Sequence, residues 1–307
     1  MAPPQFRTLD DVEYGRVEPV SPLIRRVIAE NPSKFTYRGT GTYIVGHGDV
    51  VVIDPGPQLD SHRDALAGAL DGERVRAILV THCHADHSPL AAWLQSETGA
   101  PTIAYGPHPR PTDAIAPPED GVEIEESTDY DFVPDQLAGD GDVVVAGAGL
   151  TMTAVHTPGH TSNHTCWALA EEHALFTGDH VMGWSTTVVS PPDGDMADYV
   201  SSLRTVAARA DATLWPTHGP PREDGPTYVA ALVEHRLERE RQVLDAVRAG
   251  HSSIPEIVAL LYAGVREELH KPAGRSVWAH LVKLHAEGRI EAKDSAQPGF
   301  HGAYRAA

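Results

Sequence analysis

The stretch Thr81-His82-Cys83-His84-Ala85-Asp86-His87-Ser88 decides how this chain is read. It closes the run Val75 to Thr81, whose mostly apolar residues suit a buried strand. In an extended loop His82 and His84 project to one side, because side chains alternate, so their imidazoles can converge on one cation. Asp86 and His87, at the entry to the next helix, can turn toward a second. Buried without partners, such polar groups cost on the order of 1 to 3 kcal/mol each. A metal satisfies them together. Ser88 begins the following helix, with Pro89 at its first position and Leu90, Trp93 and Leu94 along one face.

Three more signals lie downstream. His160 stands in Thr157-Pro158-Gly159-His160-Thr161 after a predicted strand Leu150 to His156. Asp179 follows the strand Ala174 to Phe176 in Thr177-Gly178-Asp179, and His218 follows Ala212 to Trp215 in Pro216-Thr217-His218-Gly219-Pro220. Each short motif is weak alone; their order, each at the C-terminal edge of a strand, makes them a set. Around them the pattern predicts a hairpin (Thr42 to Val45, Val50 to Ile53), strands at Thr102 to Tyr105, Val143 to Val145 and Thr165 to Ala170, and helices at Asp60 to Leu70 and Met196 to Ala210. That alternation implies sheets covered by helices. Residues 106 to 142 read as a long loop and a candidate lid, with 11 acidic side chains against the single basic Arg110.

The chain has 307 residues, 41% of them hydrophobic, enough for a packed core. Its 24 Lys and Arg against 43 Asp and Glu give a net charge of -19, unevenly spread: residues 1 to 224 carry -20 and residues 225 to 307 carry +1. Such an anionic body repels phosphate backbones, which disfavours nucleic acid as a partner. No apolar run approaches the ~18 residues of a membrane helix, and the start has no apolar segment of a secretion signal. With Cys83 and Cys166 far apart, free thiols in a cytoplasmic protein are expected. After Pro220-Pro221 come helix formers at Tyr228 to Ala249, at Ser253 to Tyr262 with Ser253 and Glu256 as a capping box, and at Gly274 to Glu287. A short strand, Ile290 to Ala292, ends the series. Three helices and a β-wing are the plan of a winged helix, with a plain helical appendage as the alternative reading, and the expected domains are 1–224 and 225–307.

The ligand motifs resemble the metallo-β-lactamase superfamily over roughly residues 36 to 220. The resemblance implies an α+β fold, an αββα sandwich, with a dinuclear zinc site at one edge; iron or manganese are alternatives. By the same resemblance His82, His84 and His160 hold the first metal, Asp86, His87 and His218 the second, and Asp179 bridges. A narrower likeness, through Asn31-Pro32-Ser33, Gly39 to Gly46, Ile53 to Pro57, Thr186-Thr187-Val188, Asp198-Tyr199, Ser202-Leu203 and Glu234-His235-Arg236, is to the β-lactamase-like protein 2 group. That group appends a winged-helix-like domain and includes an RNA-cleaving nuclease and thioesterases for carrier-bound polyketides. Gly41 and Ser162-Asn163 depart from its pattern, the second removing a carboxylate near His164.

Two cations sharing a water would lower its pKa toward ~7, yielding a hydroxide nucleophile. The expected activity is therefore zinc-dependent hydrolysis of an ester, thioester or lactone on a small or carrier-linked substrate. Single-stranded RNA cleavage and iron-dependent oxidoreduction are the alternatives, and homo-oligomerisation is left open. Asp86 and His164 are the candidate catalytic residues, His164 as a substrate contact or proton donor if it is not structural. Asp54 is a candidate support, and Trp184, Ser185 and Thr186 are candidates to line the cleft. Cys83 is read as packed; His235 and Arg236, at the junction with the tail, are read either as a helix-surface pair or as reaching back toward the site. His47, His62, His108, His173, His251, His270, His280, His285 and His301 are read as surface or cap residues.

Overall fold

The computed structural model describes residues 3–110, 127–264, 270–293 and 295–307. Residues 111–126 of the acidic stretch, with the candidate lid they would form, lie outside the described residues.

Strands β1 (Val17–Pro19), β2 (Ile24–Ile28), β3 (Gly41–His47) and β4 (Asp49–Ile53) form an antiparallel meander. Helix α1 (Asp60–Ala69) then crosses to β5 (Arg74–Leu79), which pairs parallel to β4. Helix α2 (Leu90–Thr98) leads to β6 (Thr102–Ala104), and β7 (Gln136–Leu137) completes a seven-stranded sheet in the order β1 to β7. The second sheet takes β8 (Val143–Gly147), β9 (Leu150–His156), β10 (Thr165–Leu169) and β11 (Ala174–Gly178), then helix α3 (Met196–Arg209) and strand β12 (Thr213–Pro216). Its five strands lie in the order β12-β11-β10-β9-β8, with only β11 and β12 parallel. Helices α4 (Gly225–Arg248), α5 (Ile254–Leu261) and α6 (His270–Ala286) follow, and β13 (Ile290–Ala292) pairs antiparallel with β14 (Tyr304–Ala306) as the wing.

Both faces of each sheet are covered, which is why the strands read as nearly unbroken apolar runs. In β4 the period of two sends Val51 and Ile53 to the core between the sheets and Val50 and Val52 to the core under α1 and α2. The inter-sheet core joins Ile24, Tyr43 and Leu79 to Met152, Trp167 and Phe176, and Tyr43 Oη donates to the carbonyl of Pro216 at 2.6 Å across the sandwich. On the outer face of the second sheet Leu175 and Cys166 pack with Tyr199 and Leu203 of α3 and with Val229 and Leu232 of α4. The layers thus run α, β, β, α. The far half of α4, through Val243, Leu244 and Val247, belongs to a separate core with Ile257, Trp278, Leu281 and Tyr304.

Local expectations mostly hold with shifted ends. Helix α2 starts at Leu90 with Pro89 as its cap, one residue later than read, and α6 starts four residues earlier than Gly274. Glu256 accepts from the backbone N–H of Ser253 at 3.1 Å, as the capping box requires. Within the long loop the structure adds the two-residue β7, and at the start it adds β1 and β2. No helix among the described residues is long and apolar enough to cross a membrane.

Candidate metal centre

Topology brings the ligand motifs to one edge. Strands β4 and β5 are parallel, so Asp54 and the residues 82 to 87 leave the first sheet at the same end. In the second sheet β9 runs the same way as β11, since both are antiparallel to β10, and β12 is parallel to β11. His160, Asp179 and His218 therefore emerge together. Glycines let the chain turn there. Gly159 has φ +133° and a Cβ on it would lie 2.3 Å from Tyr199 Cα, so the turn carrying His160 sits directly on α3.

All seven predicted ligands are buried or nearly so and converge. His82 Nε2 and His160 Nε2 lie 3.0 and 3.3 Å from His84 Nδ1. Asp86 Oδ2 lies 3.3 Å from His87 Nε2 and 3.1 Å from His218 Nε2. The two oxygens of Asp179 divide between these groups: Oδ1 is 3.7 Å from His87 Nε2 and 3.4 Å from His218 Nε2, and Oδ2 is 3.9 Å from His160 Nε2. Three overlapping sets, His82-His84-His160, His82-His87-Asp179 and Asp86-His87-His218, have the spacing of metal ligands.

The surroundings aim these rings inward. Asp54, buried and held at φ +49°, accepts at Oδ1 from the Thr81 N–H at 2.8 Å. Its Oδ2 accepts from the hydroxyls of Thr81 and Thr217 at 2.8 and 3.0 Å and stands 2.9 Å from His87 Nδ1. His160 Nδ1 lies 2.7 Å from the carbonyl of Val188, His218 Nδ1 lies 3.2 Å from that of Gly39, and His82 Nδ1 lies 3.1 Å from Thr81 Oγ1. In the neutral ring each contact leaves the Nε2 lone pair facing the cluster. The backbone carbonyl of Val188 thus does for His160 what the carboxylate missing from Ser162-Asn163 would have done.

The set fits a metal on three counts. Tetrahedral ligands at ~2.0–2.1 Å from zinc stand about 3.3 Å apart, close to the nitrogen spacings here. His87 Nε2 and Asp179 Oδ1 are buried without a hydrogen-bond partner. Burial pushes His82 and His84 well below the usual histidine range, so both are neutral as ligands must be. Burial would lower His87 as well, yet Asp86, Asp54 and Asp179 raise it well above that range: the carboxylates supply the negative field that a cation would occupy.

His164 carries two expectations, a substrate contact or proton donor and a structural residue. Fully buried, it has Nδ1 2.9 Å from Thr157 Oγ1 and accepts at Nε2 from the Asp179 N–H at 3.3 Å. Both nitrogens are engaged inside the protein, so its geometry is that of a group positioning Asp179. Cys83 points away from the cluster, accepts from Asn163 Nδ2 at 3.1 Å and is pushed up to about 11 by burial. Trp184, Ser185 and Thr186 do line the cleft, and Trp184 stacks on Tyr37 with ring centroids 4.7 Å apart. Lys34, Phe35, Met182 and Val188 line it too, and sequence reasoning named none of them for the cleft. His62, His108 and His280, read as surface or cap residues, are buried, and Arg236 is buried rather than on a helix surface.

Residues 37–218 match the family described as Metallo-beta-lactamase superfamily, and residues 253–298 match the Beta-lactamase associated winged helix domain. An atrochrysone carboxyl ACP thioesterase of Aspergillus chevalieri is 34% identical over 269 residues, covering 84% of this chain and 79% of that one. A thioesterase of the same description from Pseudocercospora fijiensis is 31% identical, covering 89% and 78%. Among solved structures, a beta-lactamase domain protein from Burkholderia ambifaria shares the fold with a TM-score of 0.76 at 23% identity, covering 97% of this chain and 96% of that one.

Proposed function

Since the chain belongs to the metallo-beta-lactamase superfamily, a hydrolase family, with an associated winged helix domain, we propose that it is a dinuclear zinc hydrolase that cleaves the thioester of an acyl group held on a carrier protein. The observation that carries the proposal is the division of Asp179 between two groups of imidazoles, one oxygen facing each. His82, His84 and His160 would hold one ion, Asp86, His87 and His218 the other, with Asp179 between them. Zinc bound there supplies Lewis acidity toward a carbonyl oxygen and lowers the pKa of coordinated water to about 7.

The chain's own residues supply the rest. Asp86 accepts from the Thr40 hydroxyl at 2.9 Å, which fixes its carboxylate at the cleft floor. Asp54 fixes the tautomer of His87, and Val188 that of His160. Trp184, Phe35 and Met182 give the cleft an apolar wall against which an acyl chain can lie, with Lys34 at the same opening. The thioesterase names of the relatives support a carrier-linked substrate for this chain.

The test is hydrolysis by zinc-loaded protein of acyl-carrier thioesters, small esters, lactones and single-stranded RNA, with His84→Ala as control. Thioester cleavage that His84→Ala abolishes supports the proposal. Activity that survives the substitution, or cleavage confined to RNA, overturns it.

A further inference from the structure

We propose that Arg236, on the helix leading into the C-terminal winged-helix unit, is a positioning residue of the metal centre: it latches the segment 184–190 and thereby fixes His160 and Asp179. Arg236 is 5% exposed, and its guanidinium donates to the carbonyl of Thr187 at 2.5 Å. The same guanidinium lies over the Tyr199 ring, 5.2 Å from its centroid. Both neighbours lead to the centre. Thr187 Oγ1 is 2.7 Å from the carbonyl of Asp179 and 3.0 Å from that of His180, and Tyr199 Oη donates to the His180 carbonyl at 3.0 Å. The residue after Thr187 is Val188, whose carbonyl holds His160 Nδ1.

One side chain of α4 therefore closes a ring of contacts around the backbone that carries Asp179 and the carbonyl that sets the His160 tautomer. An arginine suits this place because its planar fork can donate in the plane while its face packs on an aromatic ring. Losing it would leave the Thr187 carbonyl unpaired in a buried setting and free the segment 184–190 to shift. The consequence reaches the metal, since removing a group that orients a ligand typically weakens metal binding ~10–100-fold.

The latch rests on the metal-centre reading above, and its test separates the two. Zinc affinity is measured by competition with a chromophoric chelator for the whole chain and for Arg236→Met and Arg236→Lys. The ¹⁵N shifts of the His160 ring are recorded in zinc-free protein. The expected result is two zinc ions on the wild type, one of them bound ~10–100-fold more weakly by Arg236→Met, a smaller loss in Arg236→Lys, and a His160 ring that leaves the single Nδ1–H tautomer in Arg236→Met. Equal affinities and an unchanged ring overturn the latch and leave the hydrolase proposal standing. A wild type that takes up no zinc overturns the hydrolase proposal, and the zinc-free His160 ring then decides the latch alone. Should Arg236→Met show no cooperative unfolding, Arg236→Lys decides by the same readouts: a loss on either supports the latch, and wild-type values on both overturn it.

Discussion

His87 Nδ1 stands 2.9 Å from Asp54 Oδ2, although 33 residues separate them, and this pairing ties the two parallel strands β4 and β5 together at the candidate metal centre. The carboxylate also gathers Thr81 and Thr217, so it joins the first sheet to the strand end that carries His218. Its φ of +49° is unusual for a residue with a side chain, and Asp is among the few types that tolerate it.

Asp54→Asn separates these roles. Asparagine keeps the backbone conformation and most of the shape, but one amide face now donates where the carboxylate accepted, against the Thr81 N–H or the His87 Nδ1–H. The folded protein is expected to persist with zinc affinity reduced ~10–100-fold. Chelator competition on the purified variant checks this, and a wild-type affinity would mean that Asp54 serves only the turn.

The glycines beside the ligands should be intolerant for steric reasons. At Gly159 a Cβ would meet backbone atoms of Tyr199 at 2.3 and 2.4 Å, and φ is +133°. Backbone cannot swing aside as a side chain can. Gly159→Ala is expected to cost at least ~1–3 kcal/mol from the backbone conformation alone, with the clash added. Gly99→Ala, at a helix end with φ +69° and open space around its Cβ, is expected to cost about 1 kcal/mol. Thermal unfolding of the two variants side by side measures the difference, and equal melting temperatures would refute the steric account.

The convergence of the seven candidate ligands was legible in the sequence because four of them fall within six residues and the other three close predicted strands. Their supports were not, because they come from far along the chain. Asp54 pairs with Thr217 across 163 residues, and His160 is held by a carbonyl, to which any residue could contribute. Strand β2 escaped notice because Arg25 and Arg26 interrupt its apolar pattern. Arg26 is nonetheless 4% exposed, paired with Glu18 at 2.8 Å, so a charged residue here fills a core position. Of the two readings of Arg236, the inward one is where the side chain lies, but its buried partner is a backbone oxygen, which no sequence pattern names. The two-residue β7 is stabilised by Asp135, which accepts from the N–H and hydroxyl of Thr102 at 2.8 Å, a contact no local pattern reveals.

Trp184 offers a test of the cleft wall. It stacks nearly parallel on Tyr37, with an interplanar angle of 13°, and lines the opening above the ligands without being one. Stacked rings contribute about 0.5–1.5 kcal/mol beyond their buried area. Trp184→Ala is expected to raise KM for long-chain acyl thioesters about tenfold while zinc stoichiometry stays at the wild-type value. Steady-state kinetics on a short and a long acyl chain check the claim, since a loss equal for both would assign Trp184 to structure rather than to the acyl group.

A last prediction concerns the C-terminal unit and its dependence on pH. Glu240 of α4 is 5% exposed, with Lys283 Nζ at 2.8 Å, Arg289 Nη1 at 3.3 Å and His280 Nδ1 at 3.9 Å. Burial alone would raise its pKa, but His280 and Lys283 outweigh that and bring it from 4.5 down to about 2. A carboxyl whose folded value is depressed contributes stability that is complete above its unfolded value. That contribution is lost as the pH falls through the folded value. Here the window runs from 4.5 down to about 2. Glu240→Gln removes the charge at every pH, so its deficit relative to wild type, about 1.5–3 kcal/mol for hydrogen bonds to a charged group, should be full at pH 7. The deficit should shrink steadily below pH 4.5. Urea unfolding of both proteins without zinc, between pH 7 and the acid limit of folding, reads this difference directly, because all other carboxylates titrate alike in the pair. A deficit that stays constant on acidification would show that Glu240 contributes shape, not charge, to the seam between α4 and α6.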